Sequence, residues 1–380
     1  MRILQVIPYF TPKRGGDVNV CYNLSKQLVN RGHEVTIIAT DFEFDEGYAK
    51  SLVNVRIIPF KVTVRIGLFL ISLSMKKWLK KEIKNYNVIH LHNLQSYQNN
   101  VAYHYARKYG IPYVLQAHGL APRIMKRSML KKLYNWVWGY SILKTASKAF
   151  ALTKMELDEH KEMGVGEDKI EIVPNGIDLS EYEAPPRRGE FRKKYGIKDD
   201  EKIVLYLGRI HKIKGIDLLV NAFAEIVEEL DNVKLIIVGP DDGFLSILKR
   251  QIEGLKIGNK ILFTGPIYGR DKLEAYVDAD VYVLPSVYET FPTTVLEAWA
   301  CGTPVIITDR CGIADIVDGR AGCVVEYDKD QMRNAIIKIL SDGELRRGFR
   351  EEGRKLVKNE FGWERVVLDI EKIYLSLIGR

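Results

Sequence analysis

A chain of 380 residues is longer than one hydrophobic core usually supports, so two domains of ordinary size are expected. With 46% hydrophobic and 28% charged residues it falls in the globular class, which excludes disordered and fibrous chains. The net charge of +8 is unevenly placed: residues 1–184 carry 26 Lys and Arg against 17 Asp and Glu, so the whole excess is N-terminal.

In chain order, residues 1–8 form a short apolar run closed by Pro8, suited to a first buried strand and too short for a secretory signal. The next loop carries Gly15-Gly16, where the backbone can approach a phosphate or a sugar closely. It lacks the G-x-G-x-x-G spacing of a dinucleotide oxidoreductase. Val20, Leu24 and Leu28 at helical spacing predict a helix over 18–30, closed by Arg31-Gly32. Further strands are predicted at 34–39, 88–91 and 112–116.

The longest apolar stretch, 66–75, is about half of the roughly 20 residues a membrane span requires, so no transmembrane segment is expected. Residues 83–155 hold eleven Lys or Arg and no Asp or Glu, with Tyr134, Trp136, Trp138 and Tyr140 among them. Together with Met75-Lys-Lys-Trp-Leu-Lys-Lys, this stretch reads either as a surface for an anionic membrane and a lipid-linked acceptor, or as a solvated basic face. His118 stands just past a strand end, where an imidazole can contact a sugar or handle a proton; His90 and His92 are similarly placed.

Residues 181–196, with Pro185-Pro186 and a charge run, read as the linker. Beyond it strands and helices alternate again: strands at 203–207, 234–238, 261–263, 281–284 and 304–307, helices at 215–230, 245–253 and 295–300. Such alternation predicts parallel sheets, whose ligands bind at the carboxyl ends of the strands. Arg209 and Lys214 bracket the first strand exit. Arg can grip two phosphate oxygens and Lys adds a point charge, as a pyrophosphate leaving group requires, although a solvated basic turn would look the same.

Glu289 falls on a loop and Glu297 about a turn into the following helix, whose free N–H groups suit a bound anion. Glu297 reads equally as an acid complementing the helix dipole, and Glu289 as a solvated loop charge. Asp278-Ala-Asp280 lies at a helix–strand junction and reads as structural, so no metal site is expected. The four cysteines show no paired spacing and read as reduced, partly buried thiols of a cytoplasmic protein.

Several segments in order, Arg31-Gly-His-Glu-Val-Thr, Val88-Ile-His-Leu-His, Gln116-Ala-His-Gly, Val173-Pro-Asn-Gly-Ile-Asp, Leu207-Gly-Arg with Lys214-Gly, and Glu289 through Glu297 to Gly302-Thr-Pro-Val, resemble family 4 of the retaining, nucleotide-sugar-dependent glycosyltransferases. The resemblance implies the GT-B fold: an α/β chain of two doubly wound, Rossmann-like domains facing a cleft. The first would be an acceptor-side domain of residues 1–184 plus a crossover helix at 363–380, the second a nucleotide-sugar-binding domain of residues 185–362.

It also implies roles. Arg209 and Lys214 would bind the donor diphosphate, Glu297 the ribose, and Glu289 the transferred sugar. Gly15 and Gly16 would lie beside the phosphates, His118 beside the sugar, and the main chain near Ile267 beside the base; Phe291 and Thr293 join the donor-binding loop. The implied partners are a nucleotide-sugar and an acceptor sugar; the basic stretch, read as a membrane surface, adds a lipid-linked glycan and an anionic membrane surface at the inner face, and no cofactor, metal or nucleic acid is expected. Phe291-Pro292 stands where the family commonly has Phe-Gly, and proline removes a backbone donor from the sugar site. Other readings of the same residues are another GT-B enzyme, such as an epimerase or phosphorylase, and a basic nucleic-acid-binding protein, which would leave the paired glutamates idle.

Overall fold

The computed structural model of the protein describes residues 1–119 and 134–379. The chain divides into two compact units, Met1–Gly176 with Trp363–Arg380, and Ile177–Gly362. Each is built round a parallel sheet.

Among its described residues the first unit has nine strands: β1 (Arg2–Val6), β2 (Glu34–Thr40), β3 (Arg56–Phe60), β4 (Val64–Ile66), β5 (Phe69–Ile71), β6 (Val88–His92), β7 (Tyr113–Gln116), β8 (Lys148–Ala151) and β9 (Ile170–Ile172). Seven pair in the order β3-β2-β1-β6-β7-β8-β9, every neighbour parallel. Helices cover both faces, so central strands such as β1 and β6 are buried on successive residues rather than on alternate ones, their polar Gln5, His90 and His92 included. The order reverses between β1 and β6, which opens a crevice at their carboxyl ends.

The apolar stretch at 66–75 is split by its own chemistry. Gly67 takes a left-handed φ of 61° to turn β4 into the antiparallel β5. Ser72 then accepts the Met75 N–H at 3.3 Å and starts the helix Leu73–Glu82.

The helix Trp363–Ile378 completes this unit rather than the second. Its Trp363, Val366, Val367, Ile370 and Tyr374 share one face and pack with Ile3, Val20, Leu24, Val88, Val114 and Phe150. His33 Nε2 lies 2.6 Å from the Glu371 carboxylate, and a Cβ added at Gly176 would stand 2.5 Å from the Trp363 ring.

The second unit carries β10 (Lys202–Leu207), β11 (Val233–Val238), β12 (Ile261–Gly265), β13 (Val281–Leu284), β14 (Val305–Thr308) and β15 (Gly322–Val325). They pair in parallel in the order β12-β11-β10-β13-β14-β15, the doubly wound arrangement with its switch between β10 and β13.

Two sequence expectations change here. Residues 177–184, expected in the first domain, group with the second unit, because the Ile177 N–H donates to the Phe361 carbonyl at 2.8 Å and Tyr182 is buried. The expected linker at 181–196 is packed structure. Phe191 and Arg192 of the helix Glu190–Tyr195 are buried, and Asp278 accepts the backbone N–H groups of Gly189 and Arg192 at 2.5 and 2.9 Å. Asp280 accepts the Ile203 N–H at 2.9 Å and pairs with Arg188 at 3.1 Å. These two aspartates fasten the start of the second unit to its sheet; proline-proline and charge in the sequence concealed that because the anchors lie some ninety residues away.

Candidate active site

The switch point of the second unit collects most of the singled-out residues. From the end of β10 the chain passes Gly208 and Arg209, makes a single tight turn at Lys212–Lys214, and enters the helix Ile216–Glu229. Gly215 makes the junction with φ 65°, and a Cβ there would stand 1.9 Å from the Pro285 carbonyl oxygen at the end of β13. Only glycine lets the two loops approach this closely.

That approach brings Lys214 into an ion pair with Glu289, both side chains four-fifths buried or more. Glu289 is held by its main chain as well: its N–H donates to the Arg310 carbonyl at 3.2 Å and its carbonyl accepts from Gly312 at 2.8 Å. Thr308, at the end of β14, donates its hydroxyl to the Ser286 carbonyl at 2.6 Å. The loop after β13 is thus fixed by the loop after β14, and its carboxylate stands in a defined place.

Arg209 reaches the other way, to Asp242 at 2.6 Å, with both side chains substantially exposed. Such a pair contributes little to stability and is readily exchanged for a ligand anion. Glu297 sits in the helix Thr293–Ala300, one carboxylate oxygen 2.8 Å from Lys272 Nζ and the other accepting from the Tyr276 hydroxyl at 3.1 Å. Glu289 and Glu297 therefore have separate partners.

Thr293 opens that helix, and Pro292 precedes it with no side-chain cap, so its N-terminal dipole is open to an anion. Phe291 is a different matter: its side chain is buried against Phe361, ring centroids 5.9 Å apart, which leaves only its main chain for a ligand. Apolar contact with the end of the unit outweighs any exposure on the loop. Ile267 lies half-buried in the loop after β12.

In the first unit the crevice between β1 and β6 carries the rest. Gly15 has φ 99°, Gly16 begins the helix Gly16–Asn30, and a Cβ at either would meet nothing among the described residues within 4 Å. The space above this turn is open to a ligand. Asp17, in the first turn, accepts from Asn93 Nδ2 at 2.7 Å.

Asn93 and His118 follow β6 and β7 and take left-handed φ values of 67° and 56°, uncommon for residues with a Cβ and typical of functional loops. His118 Nε2 lies 3.0 Å from His92 Nδ1, and His92 Nε2 lies 2.7 Å from Gln5 Oε1. Burial pushes the His118 imidazole down to about 4, partly offset by the Asp17 carboxylate. His90, burial-depressed to about 3, stacks on His92 at 4.3 Å.

Glu156 is buried, accepts the N–H groups of Gly119 at 2.9 Å and Leu152 at 2.7 Å, and is pushed up to about 7 by burial. It anchors the loop that presents His118. Its sequence signal was the capping pair Thr153-x-x-Glu156, which marks a helix start and says nothing of a partner 37 residues away. Lys272 and Tyr276, four apart on one helix face, carried no signal until Glu297 was seen beside them.

Among the described residues no group of three or more His, Cys, Asp or Glu is placed to hold a metal ion, and no helix is long and apolar enough to cross a membrane.

Two parallel α/β units with these loops at their switch points match known families over most of the chain. Residues 14–181 match the family described as Glycosyltransferase Family 4, and residues 187–356 match Glycosyl transferases group 1. The chain belongs to the family 4 glycosyltransferases. This glycosyltransferase is 27% identical to the N-acetyl-alpha-D-glucosaminyl L-malate synthase of Bacillus anthracis, over 97% of this chain and 95% of that one. It is also 27% identical to an Escherichia coli UDP-Gal:alpha-D-GlcNAc-diphosphoundecaprenol alpha-1,3-galactosyltransferase, over 78% and 79% of the two chains. Among solved structures, Anabaena HepE in complex with UDP superposes with a TM-score of 0.83 over 99% of this glycosyltransferase and 100% of that chain, at 18% identity, a likeness of fold. The fold is GT-B.

Proposed function

We propose that this glycosyltransferase moves a sugar from a nucleotide-sugar to an acceptor hydroxyl with retention of anomeric configuration and without a metal ion. The observation that carries the reading is the Lys214–Glu289 ion pair at the switch point of the second unit. A donor diphosphate draws Lys214 and the exposed Arg209 to its oxygens, and Glu289, released from Lys214, accepts from hydroxyls of the transferred sugar. Glu297, oriented by Lys272 and Tyr276, accepts from ribose hydroxyls. HepE was solved with UDP, which makes UDP the first nucleotide to test.

Retention follows if the acceptor attacks from the face the diphosphate leaves. The leaving phosphate oxygen then takes the acceptor's proton, and Arg209 and Lys214 stabilise its charge in place of a metal. Arg209→Ala is expected to lower donor turnover about a hundredfold, the scale of one lost charge-stabilising contact. Near-normal turnover would remove Arg209 from the mechanism.

We further propose a lipid-linked acceptor reached at the inner face of a membrane. In the first unit Ile66, Leu68 and Leu73 are each more than half exposed and Trp136 is 75% exposed, with the exposed Lys76, Lys77, Lys80 and Lys81 on the helix Leu73–Glu82. Apolar side chains beside lysines suit an anionic bilayer. The basic residues at 123–132 lie outside the described residues. The E. coli relative's acceptor is a diphosphoundecaprenol, whereas the B. anthracis relative makes a malate glycoside, so the surface favours the lipid reading. Sedimentation with phosphatidylglycerol vesicles at low salt is the check: binding lost in Ile66→Ser/Leu68→Ser supports it, and no binding by the wild type ends it.

A further inference from the structure

The first unit contains a run of buried polar side chains that begins on the C-terminal helix and ends at His118. Tyr374, from the helix Trp363–Ile378, places its hydroxyl 2.6 Å from His90 Nδ1. Gln5 on β1, His92 on β6 and His118 after β7 follow, and Tyr374, Gln5, His90 and His92 are all buried. The three imidazoles stack, with ring centroids 4.3 Å apart for His90 and His92 and 5.3 Å for His92 and His118. A packed aliphatic core needs none of these groups, and burying them unpaired is costly.

Donor and acceptor directions follow from the end that has no choice. The Gln5 carbonyl oxygen, 2.7 Å from His92 Nε2, only accepts, so the proton of a neutral His92 is on Nε2 and its Nδ1 is a bare lone pair. His118 Nε2, 3.0 Å from that lone pair, must then donate. A proton on His118 Nε2 leaves His118 Nδ1 as an acceptor. The Gln5 amide nitrogen has no hydrogen-bond partner among the described residues, so the carbonyl oxygen on His92 Nε2 is the end of the carboxamide that is held. Burial keeps the imidazoles neutral near pH 7.

We infer that Gln5 and His92 are positioning residues that fix His118 as its Nε2–H tautomer, so that it meets the sugar as a hydrogen-bond acceptor through Nδ1. This rests on the reading of His118 as a sugar contact. It gives β1 and β6 a part in the site: Gln5 sets the tautomer of His92, and His92 sets that of His118. His118 accordingly accepts from a hydroxyl and does not donate to an ether or carbonyl oxygen.

The test is nitrogen NMR of the full chain labelled in its histidine rings, with the His118 signals assigned by their loss in His118→Gln. In the wild type at pH 7 the two-bond correlations are expected to show protonated Nε2 and bare Nδ1 in roughly tenfold excess over the other tautomer, the ratio one neutral hydrogen bond sustains. His92→Phe, which keeps a ring in the stack, should collapse that excess towards unity. Gln5→Leu, which removes the acceptor from His92 Nε2 and keeps an apolar side chain of similar size, should reduce it several-fold. A wild-type His118 protonated on Nδ1, the pattern a reversed Gln5 carboxamide would give, overturns the inference, as does a Gln5→Leu spectrum identical to wild type. If the spectra come out as expected and His118→Gln turns over donor normally, the tautomer stands and the sugar-contact reading falls.

Discussion

His160 is buried with neither ring nitrogen hydrogen-bonded among the described residues, and burial pushes it down to about 4. Its folded value lies below the ordinary value near 6.5, so the unfolded chain takes up a proton that the folded chain refuses. That stability is present above pH 6.5 and is lost as pH falls towards 4. His160→Leu removes both the orphaned nitrogens and the linkage, and its stability relative to wild type should be about 2 kcal/mol more favourable at pH 5 than at pH 8. Urea unfolding at the two pH values checks this. Glu156 works with the opposite sign: raised to about 7, it stays protonated in the fold, and its contribution is lost as pH rises through 7. Neither residue stood out in the sequence, because a histidine or glutamate on a polar helix looks like surface until the helix is seated. His118 did stand out, from its place past a strand end, and so did His92, but their pairing did not, because they come from different strands.

At the scale of elements, the loops at the strand ends matter more than the strands. Gly215 carries a left-handed φ at the one point where the β10 loop touches the end of β13. Gly215→Ala is therefore expected to destabilise the second unit by about 3 kcal/mol, from the unfavourable φ together with the clash at Pro285. By displacing Lys214 it should also abolish any thermal stabilisation by UDP; an alanine variant with wild-type melting would refute the contact. Strands and helices in both halves were legible from their periodicity, and their bounds were mostly shifted by a residue or two. The segment at 181–196 was not, since proline and charge argue for a linker locally while Asp278 and Asp280 decide its packing from far along the chain. Nor was the burial of the Phe291 side chain legible, since it depends on Phe361, seventy residues further on.

At the scale of the whole molecule, the first unit is assembled from both ends of the chain. Truncation after Gly362 removes Trp363, Val366, Val367, Ile370 and Tyr374 from the face of β1, β6, β7 and β8. The cost of exposing several large apolar side chains exceeds the margin of an ordinary domain. The truncated protein is expected to lose the melting transition of the first unit and keep that of the second, and a two-transition melt unchanged from wild type would contradict this. What the sequence determined alone is whatever depends on short range: alternating apolar runs, their parallel α/β class, the glycine turns, and the motif spacing that marks the family. Tertiary structure decided the pairings. Lys214 meets Glu289 across 75 residues and Tyr374 meets His90 across 284, because strand order, which no local pattern encodes, chooses which strand ends become neighbours.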